Sequence, residues 1–218
     1  MTDNGKGSAI IVGACPLKDS SFLKALPKDV FKAACDGGYY AFRNLGLEPD
    51  ILVGDFDTLS EDDVRYPKKI FRLNPMKDDT DVLWTVKYLV QEGYRKICLF
   101  GCLGNKISHT IANIQVLSYL CDQGVDGRLY SQDGQTVLLM LKESSLSFRK
   151  EAVGKISVFS YEKEASGIDE INLKYPLSDA TMNSSYPLGV SNEFIGQPAT
   201  IVVRKGKLLL VLPSDSLL

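Results

Sequence analysis

KICLFGCLGNKISHTIANIQVLSYLCDQG, residues 96–124, reads as a strand, a glycine-bearing turn and a helix. Ile97 to Phe100 are apolar without alternation, as a strand covered on both faces must be. Ile111, Ile114, Leu117, Leu120 and Cys121 then recur at helical spacing and stop before Gly124, a residue suited to the left-handed position after a helix. GRLYS (127–131) supplies the next strand. Strand, helix, strand in this order implies a parallel pair. The same alternation runs upstream through AIIVG (9–13), FKAACD (31–36), DILVGD (50–55) and KIFRL (69–73). A second amphipathic helix, with Val82, Leu83, Val86, Leu89 and Val90 on one side, ends before Gly93. The first part of the chain is therefore expected to be α/β, a parallel sheet with helices on both faces.

From about Gln135 the helical period disappears. TVLLML (136–141), LSF (146–148), KISVFSY (155–161), a short EINL (170–173) and ATIVVRKGKLLLVL (199–212) predict an all-β second domain. The last stretch alternates on both sides of Lys205-Gly206 and predicts a hairpin. The polar segment KESSLSFRKE (142–151) marks the boundary, giving domains 1–142 and 143–218. A β domain of that size has a marginal core of its own and is expected to lean on the first domain or on another subunit.

Composition narrows the function. Among 218 residues, 25 Lys+Arg oppose 27 Asp+Glu for a net charge of −2, so no global basic field favours nucleic acid or an anionic membrane. Hydrophobic content of 44% and a mean hydropathy of −0.03 fit a folded globular protein. No apolar run approaches the roughly 18 residues of a membrane span, and MTDNGKGS lacks the pattern of a signal peptide; a cytoplasmic protein is expected. Five cysteines, all within the first 121 residues and mostly in apolar runs, read as reduced core thiols. With one histidine in the chain, a Cys/His zinc site has little support.

Carboxylates collect at the ends of predicted strands, where open α/β sheets bind ligands. In ILVGDFDTLS (51–60), Asp55 and Asp57 project to one side if the strand continues. Two carboxylates on one point repel unless a divalent cation neutralises them, and Mg²⁺ suits such oxygen ligands. In Lys77-Asp78-Asp79-Thr80-Asp81, directly before the second helix, Asp79 or Thr80 can cap that helix. Asp78 and Asp81, three apart, share a face if the turn is helical; capping alone does not call for a lysine beside three acids, which favours a metal and substrate site. GCLGNKISHT (101–110), with Ser108 as its expected N-cap, presents backbone N–H groups and Lys106 to an anion. His109 is either a helix-start residue or a nucleotide contact. Asp36-Gly37-Gly38 alone reads as a turn after a strand, and Gly13-Ala14-Cys15-Pro16 lacks the dinucleotide-binding glycine pattern.

Taken in order, Asp36-Gly37-Gly38, Pro49-Asp50, Gly54-Asp55-Phe56-Asp57, Lys77-Asp78 with Thr80-Asp81, Gly101 with Leu103-Gly104, His109, Ala112-Asn113, Lys174-Tyr175-Pro176-Leu177 and Gly189 to Phe194 resemble the thiamine pyrophosphokinase family. The resemblance implies an α/β, Rossmann-like parallel-sheet catalytic domain followed by a small β-sandwich. It implies a homodimer with thiamine held between subunits, and transfer of the diphosphate of ATP to the thiamine hydroxyl with release of AMP. It further implies that Asp55, Asp57 and Asp81 bind Mg²⁺ and polyphosphate and that Asp78 lines the same catalytic site. Asp36, Gly37, Gly38, Lys77, Thr80, Gly104, Lys106 and His109 are then expected around ATP, and Tyr175, Ser191 and Asn192 around thiamine. Without the resemblance, Ser191-Asn192 reads as a β-turn.

One departure stands out. The family's Gly-Gly-Arg-x-Asp-His is here Gly104-Asn105-Lys106-Ile107-Ser108-His109, which lacks a guanidinium and a carboxylate; lysine keeps the charge but loses bidentate phosphate contact. Asp79 is the candidate to compensate. Two alternatives follow: the same chemistry on another alcohol, such as a hydroxymethylpterin, and a non-catalytic thiamine or nucleotide binder.

Overall fold

The computed structural model of the chain describes residues 6–56, 59, 67–74, 76, 78–104 and 106–217. The chain forms two compact units, Met1–Gly134 and Gln135–Leu218. The break precedes Thr136–Lys142 instead of following it, because that segment is a strand laddered antiparallel with Lys207–Pro213 near the end of the chain.

All six strands expected in the first unit are present: β1 (Lys6–Val12), β2 (Phe31–Cys35), β3 (Ile51–Gly54), β4 (Ile70–Arg72), β5 (Tyr94–Phe100) and β6 (Asp126–Tyr130). They lie in the order β6-β5-β1-β2-β3-β4, and every neighbouring pair is parallel. The order runs outward from β1 in both directions, so the connections change side between β1 and β5, where open parallel sheets form their ligand crevice.

Both faces of this sheet are covered. On one, Ile10, Val12, Ala34 and Leu52 pack with Leu23 of a 3-10 turn and with Tyr39 and Phe42 at helix α1 (Tyr39–Arg43). On the other, α2 (Asp81–Gln91) lies against β1, β2, β3 and β5, and α3 (Ile107–Asp122) against β6 and α2. The buried stripe of α3 is Asn113, Val116, Leu117 and Leu120. Ile111, assigned to the stripe from its spacing, is 54% exposed.

The second unit has eight strands: β7 (Thr136–Lys142), β8 (Ser145–Phe148), β9 (Lys155–Ser160), β10 (Glu164–Ile171), β11 (Leu177–Asn183), β12 (Gly189–Glu193), β13 (Ala199–Lys205) and β14 (Lys207–Pro213). They form two antiparallel four-stranded sheets, ordered β12-β9-β14-β7 and β11-β10-β13-β8. Ile156, Val158, Leu208, Leu210 and Leu212 of the first, and Phe148, Ala165, Ile168, Ile201 and Val203 of the second, are buried. The predicted hairpin is not formed. The alternation around Gly206 is real, but β13 pairs with β10 and β8 while β14 pairs with β7 and β9. Gly206, at φ +94°, instead steps the chain from one sheet to the other.

All five cysteines are free. Burial pushes the Cys35 thiol well up and the Cys102 thiol up to about 12, which keeps both unreactive. Among the described residues no helix is long and apolar enough to cross a membrane.

Candidate active site

A cavity of about 340 Å³ opens at the C-terminal ends of β1, β2, β3 and β5. Its floor depends on two glycines. Cys15 N donates to Gly101 O (2.9 Å) and Gly13 N to Phe100 O (2.8 Å), so the loops after β1 and β5 stay bonded beyond their strands. A Cβ at Gly13 would lie 2.6 Å from Gly101 O, and one at Gly101, whose φ is +60°, 2.6 Å from Gly13 O. Side chains are excluded from both positions.

One wall is acidic. Asp36, at φ +44°, directly follows β2, Asp55 directly follows β3, and Asp81 opens α2; all three line the cavity. Burial pushes the Asp36 carboxyl up to about 8, helped by a hydrogen bond shared with Asp81 and by the Asp81 and Asp55 charges, while the Phe56 N–H opposes the shift. Asp36 Oδ1 is buried without a hydrogen-bond partner among the described residues. It occupies the space over Gly54, where a Cβ could not fit. A carboxylate set held this close, with one oxygen left unbonded, fits a divalent cation. No closed shell of three ligands exists among the described residues, and Mg²⁺ does not need one, since it takes one or two carboxylates and completes its shell with phosphate oxygens and water.

The start of α3 forms another part of the lining. Its N-cap is Lys106 and not Ser108, and Lys106 makes no side-chain cap bond, so the first-turn N–H groups remain available to a ligand. Thr110 Oγ1 accepts from Gly104 N (3.1 Å) and holds the turn in shape. Lys106 and His109 line the cavity here, so an anion-attracting helix start shares the cavity with the acidic residues.

The structure brings Asp36, Asp55, Thr80, Asp81, Gly104, Lys106 and His109 together around this cavity. Asp57, Lys77 and Asn105 lie outside the described residues. The strand on which the Asp55/Asp57 alternation depended does not continue, since β3 ends at Gly54 and Phe56 is left-handed at φ +65°. Nor do Asp78 and Asp81 share a helical face. Thr80 is the N-cap of α2, accepting from Leu83 N at 3.2 Å, so Asp78 precedes the helix and is exposed. Gly37 packs beside Ala14, and Gly38 is packed against the Val12 carbonyl. Asp79, the suggested compensating carboxylate, lines the cavity but is held by Lys87 Nζ at 2.7 and 2.8 Å.

Two contributors escaped the sequence reading of roles. Asn113 is buried and donates to Cys102 O at 2.7 Å, pinning the loop after β5; its signal was a polar residue on the apolar side of α3. Gln132 Nε2 donates to Cys15 Sγ at 2.9 Å, and no local pattern marks it.

In the second unit, Tyr175 is 61% exposed. Ser191 and Asn192 are not in a turn but in β12, at a register shift against β9 where Ser191 has φ +59°. Ser191 N donates to Ser157 Oγ at 3.0 Å. Asn192 is buried and bonds to the backbone of Tyr175.

An acidic cluster and an uncapped helix start thus line one cavity at the end of a parallel sheet, a set of groups suited to an anion beside a cation. Residues 22–126 match the thiamin pyrophosphokinase catalytic domain, and residues 143–208 match the thiamin pyrophosphokinase vitamin B1 binding domain. The chain belongs to the thiamin pyrophosphokinase family. It is 25% identical over 185 residues to the thiamine pyrophosphokinase of Bacillus subtilis, covering 83% of this chain and 86% of that one. In fold it is similar to the crystal structure of the Bacillus subtilis protein (TM-score 0.83, 22% identity, 95% and 99% of the two chains covered). The thiamin pyrophosphokinase of Geobacillus thermodenitrificans gives 0.81 at 25% identity, covering 95% and 98%, and that of yeast 0.77 at 14%, covering 98% and 88%.

Proposed function

We infer that the chain transfers the diphosphate group of ATP to the hydroxyl of thiamine, giving thiamine diphosphate and AMP. The observation that carries this is the cavity itself, which Asp36, Asp55 and Asp81 line together with Lys106 at the open start of α3. The match to a vitamin B1 binding domain disfavours a pterin alcohol, and the match to the catalytic domain disfavours a non-catalytic binder.

Attack of the hydroxyl on the β-phosphorus spreads negative charge over the transferred group, so positioning and electrostatics supply most of the catalysis. The N–H groups of the first turn of α3 and the Lys106 ammonium bind the polyphosphate and orient it for in-line displacement. Asp55 and Asp81, with Asp57, would hold Mg²⁺, which when bound neutralises phosphate charge. Asp36 completes the acidic wall, and the hydroxyl proton passes to this carboxylate set. Tyr175 offers its face to the thiamine cation, an attraction of about 0.5 to 2 kcal/mol.

The strand order and its switch point support a Rossmann-like reading of the first unit as the catalytic domain, with the second unit as the thiamine-binding domain. We further read the enzyme as a cytoplasmic homodimer with thiamine bound between subunits. Incubation with ATP, Mg²⁺ and thiamine should yield AMP and thiamine diphosphate in equal amounts, and an Asp55→Asn, Asp57→Asn variant neither. ADP in place of AMP would overturn the reading.

A further inference from the structure

The sandwich of the second unit places a carboxylate where its core calls for an apolar side chain. The buried positions of β10 are Ala165, Ile168 and Glu170, their phase set by register shifts near Gly167; Glu170 is 1% exposed. In the other sheet, the register shift of β12 between Gly189 and Asn192 turns Asn192 inward, to 4% exposure.

Asn192 uses every hydrogen-bonding position it has. Its Nδ2 donates to Glu170 Oε2 at 2.6 Å and to Tyr175 O at 2.8 Å. Its Oδ1 accepts from Tyr175 N and from Glu193 N, both at 2.9 Å. No capacity is left for a ligand. One side chain thus holds both backbone polar groups of Tyr175. Lys174, the residue before it, is held by its N–H on Glu193 O (3.0 Å) and its ammonium on Glu193 Oε2 (2.8 Å).

Glu170 Oε1 has no partner among the described residues, and burial pushes this carboxyl above its usual range, against the Asn192 N–H. An apolar residue would serve the core better. The carboxylate does supply the strong acceptor that fixes which way the Asn192 amide points, and that orientation decides whether Tyr175 is held at both N and O.

We propose that Glu170 is a positioning residue for thiamine recognition, acting through Asn192 to fix the Tyr175 backbone and so present its exposed ring to the cationic heteroaromatic substrate. This rests on the reading of Tyr175 as a thiamine contact. It also gives Asn192 a part other than ligand contact: that of a bracket between Glu170 and Tyr175.

Steady-state kinetics on the full chain, varying thiamine and ATP separately, test it. Glu170→Leu is expected to raise KM for thiamine roughly tenfold, the order of a lost buried hydrogen bond to a charged group, with KM for ATP and kcat within about twofold. Glu170→Gln, whose carbonyl can still accept from Asn192 Nδ2, is expected to recover most of that loss. Tyr175→Ala is expected to raise KM for thiamine at least as far, and Glu170→Leu on that background to add little. If Glu170→Leu does not fold, Asn192→Ala cuts the same link and must show the same thiamine-selective rise. An unchanged KM for thiamine in Tyr175→Ala removes the thiamine-site reading and the proposal with it. A rise in Tyr175→Ala without one in Glu170→Leu, or equal rises for both substrates, overturns the positioning role alone.

Discussion

Asp36 makes the metal-free enzyme sensitive to pH in a direction opposite to that of most aspartates. Its carboxyl sits at about 8 in the folded protein against an ordinary 3.8. Below about pH 4 both folded and unfolded chains carry the proton. As pH rises, the unfolded chain releases it first, so the folded state loses stability until the folded group ionises near pH 8. Full conversion of that difference, at about 1.36 kcal/mol per decade, gives roughly 5–6 kcal/mol; the group is partly open to solvent, and we expect about half. Urea unfolding in chelator, followed by fluorescence of Trp84, the single tryptophan, reads this unit directly. The parent should lose roughly 2–3 kcal/mol between pH 5 and 8, and Asp36→Asn should lose much less and be the more stable protein at pH 8. Mg²⁺ should stabilise the parent at pH 8 and the variant far less. A variant less stable than the parent at pH 8, or with the same pH slope, would refute the reasoning.

Gly101→Ala places a Cβ 2.6 Å from Gly13 O at a left-handed residue; calorimetry should show a loss of roughly 2–4 kcal/mol, and isothermal titration weaker ATP binding. Thr80→Ala removes the α2 cap bond to Leu83 N and should cost about 1 kcal/mol in denaturant unfolding, with little change in KM for thiamine. Lys106→Arg restores a bidentate donor at the start of α3 and should lower KM for ATP severalfold. Asp79→Asn loosens the partly exposed pair with Lys87 and should change stability by about 0.5 kcal/mol or less. Activity should stay within twofold; a tenfold fall would give Asp79 a part in the site.

The strands of the first unit were legible because each is a short apolar run between glycines or polar turns, and a parallel sheet requires such runs. β11 and β12 escaped notice for the converse reason. LSDATMN and GVSNE lie at sheet edges, where one side faces solvent and polar residues suit a strand. The acidic wall was visible as residue types, yet its geometry was not: Phe56 ends the alternation that period two assumes, and Thr80 starts α2 after Asp78. Glu170 was unreadable because its role depends on Asn192, 22 residues away in another sheet. Spacing along a chain reports faces of one element, and a bond between sheets leaves no such trace.

Gly206 joins β13, which lies between β10 and β8, to β14, which lies between β7 and β9. A one-residue tether between two inner strands leaves no slack for either layer to peel away alone. The second unit should therefore open as one indivisible body, with amides of both layers exchanging hydrogen at a common rate.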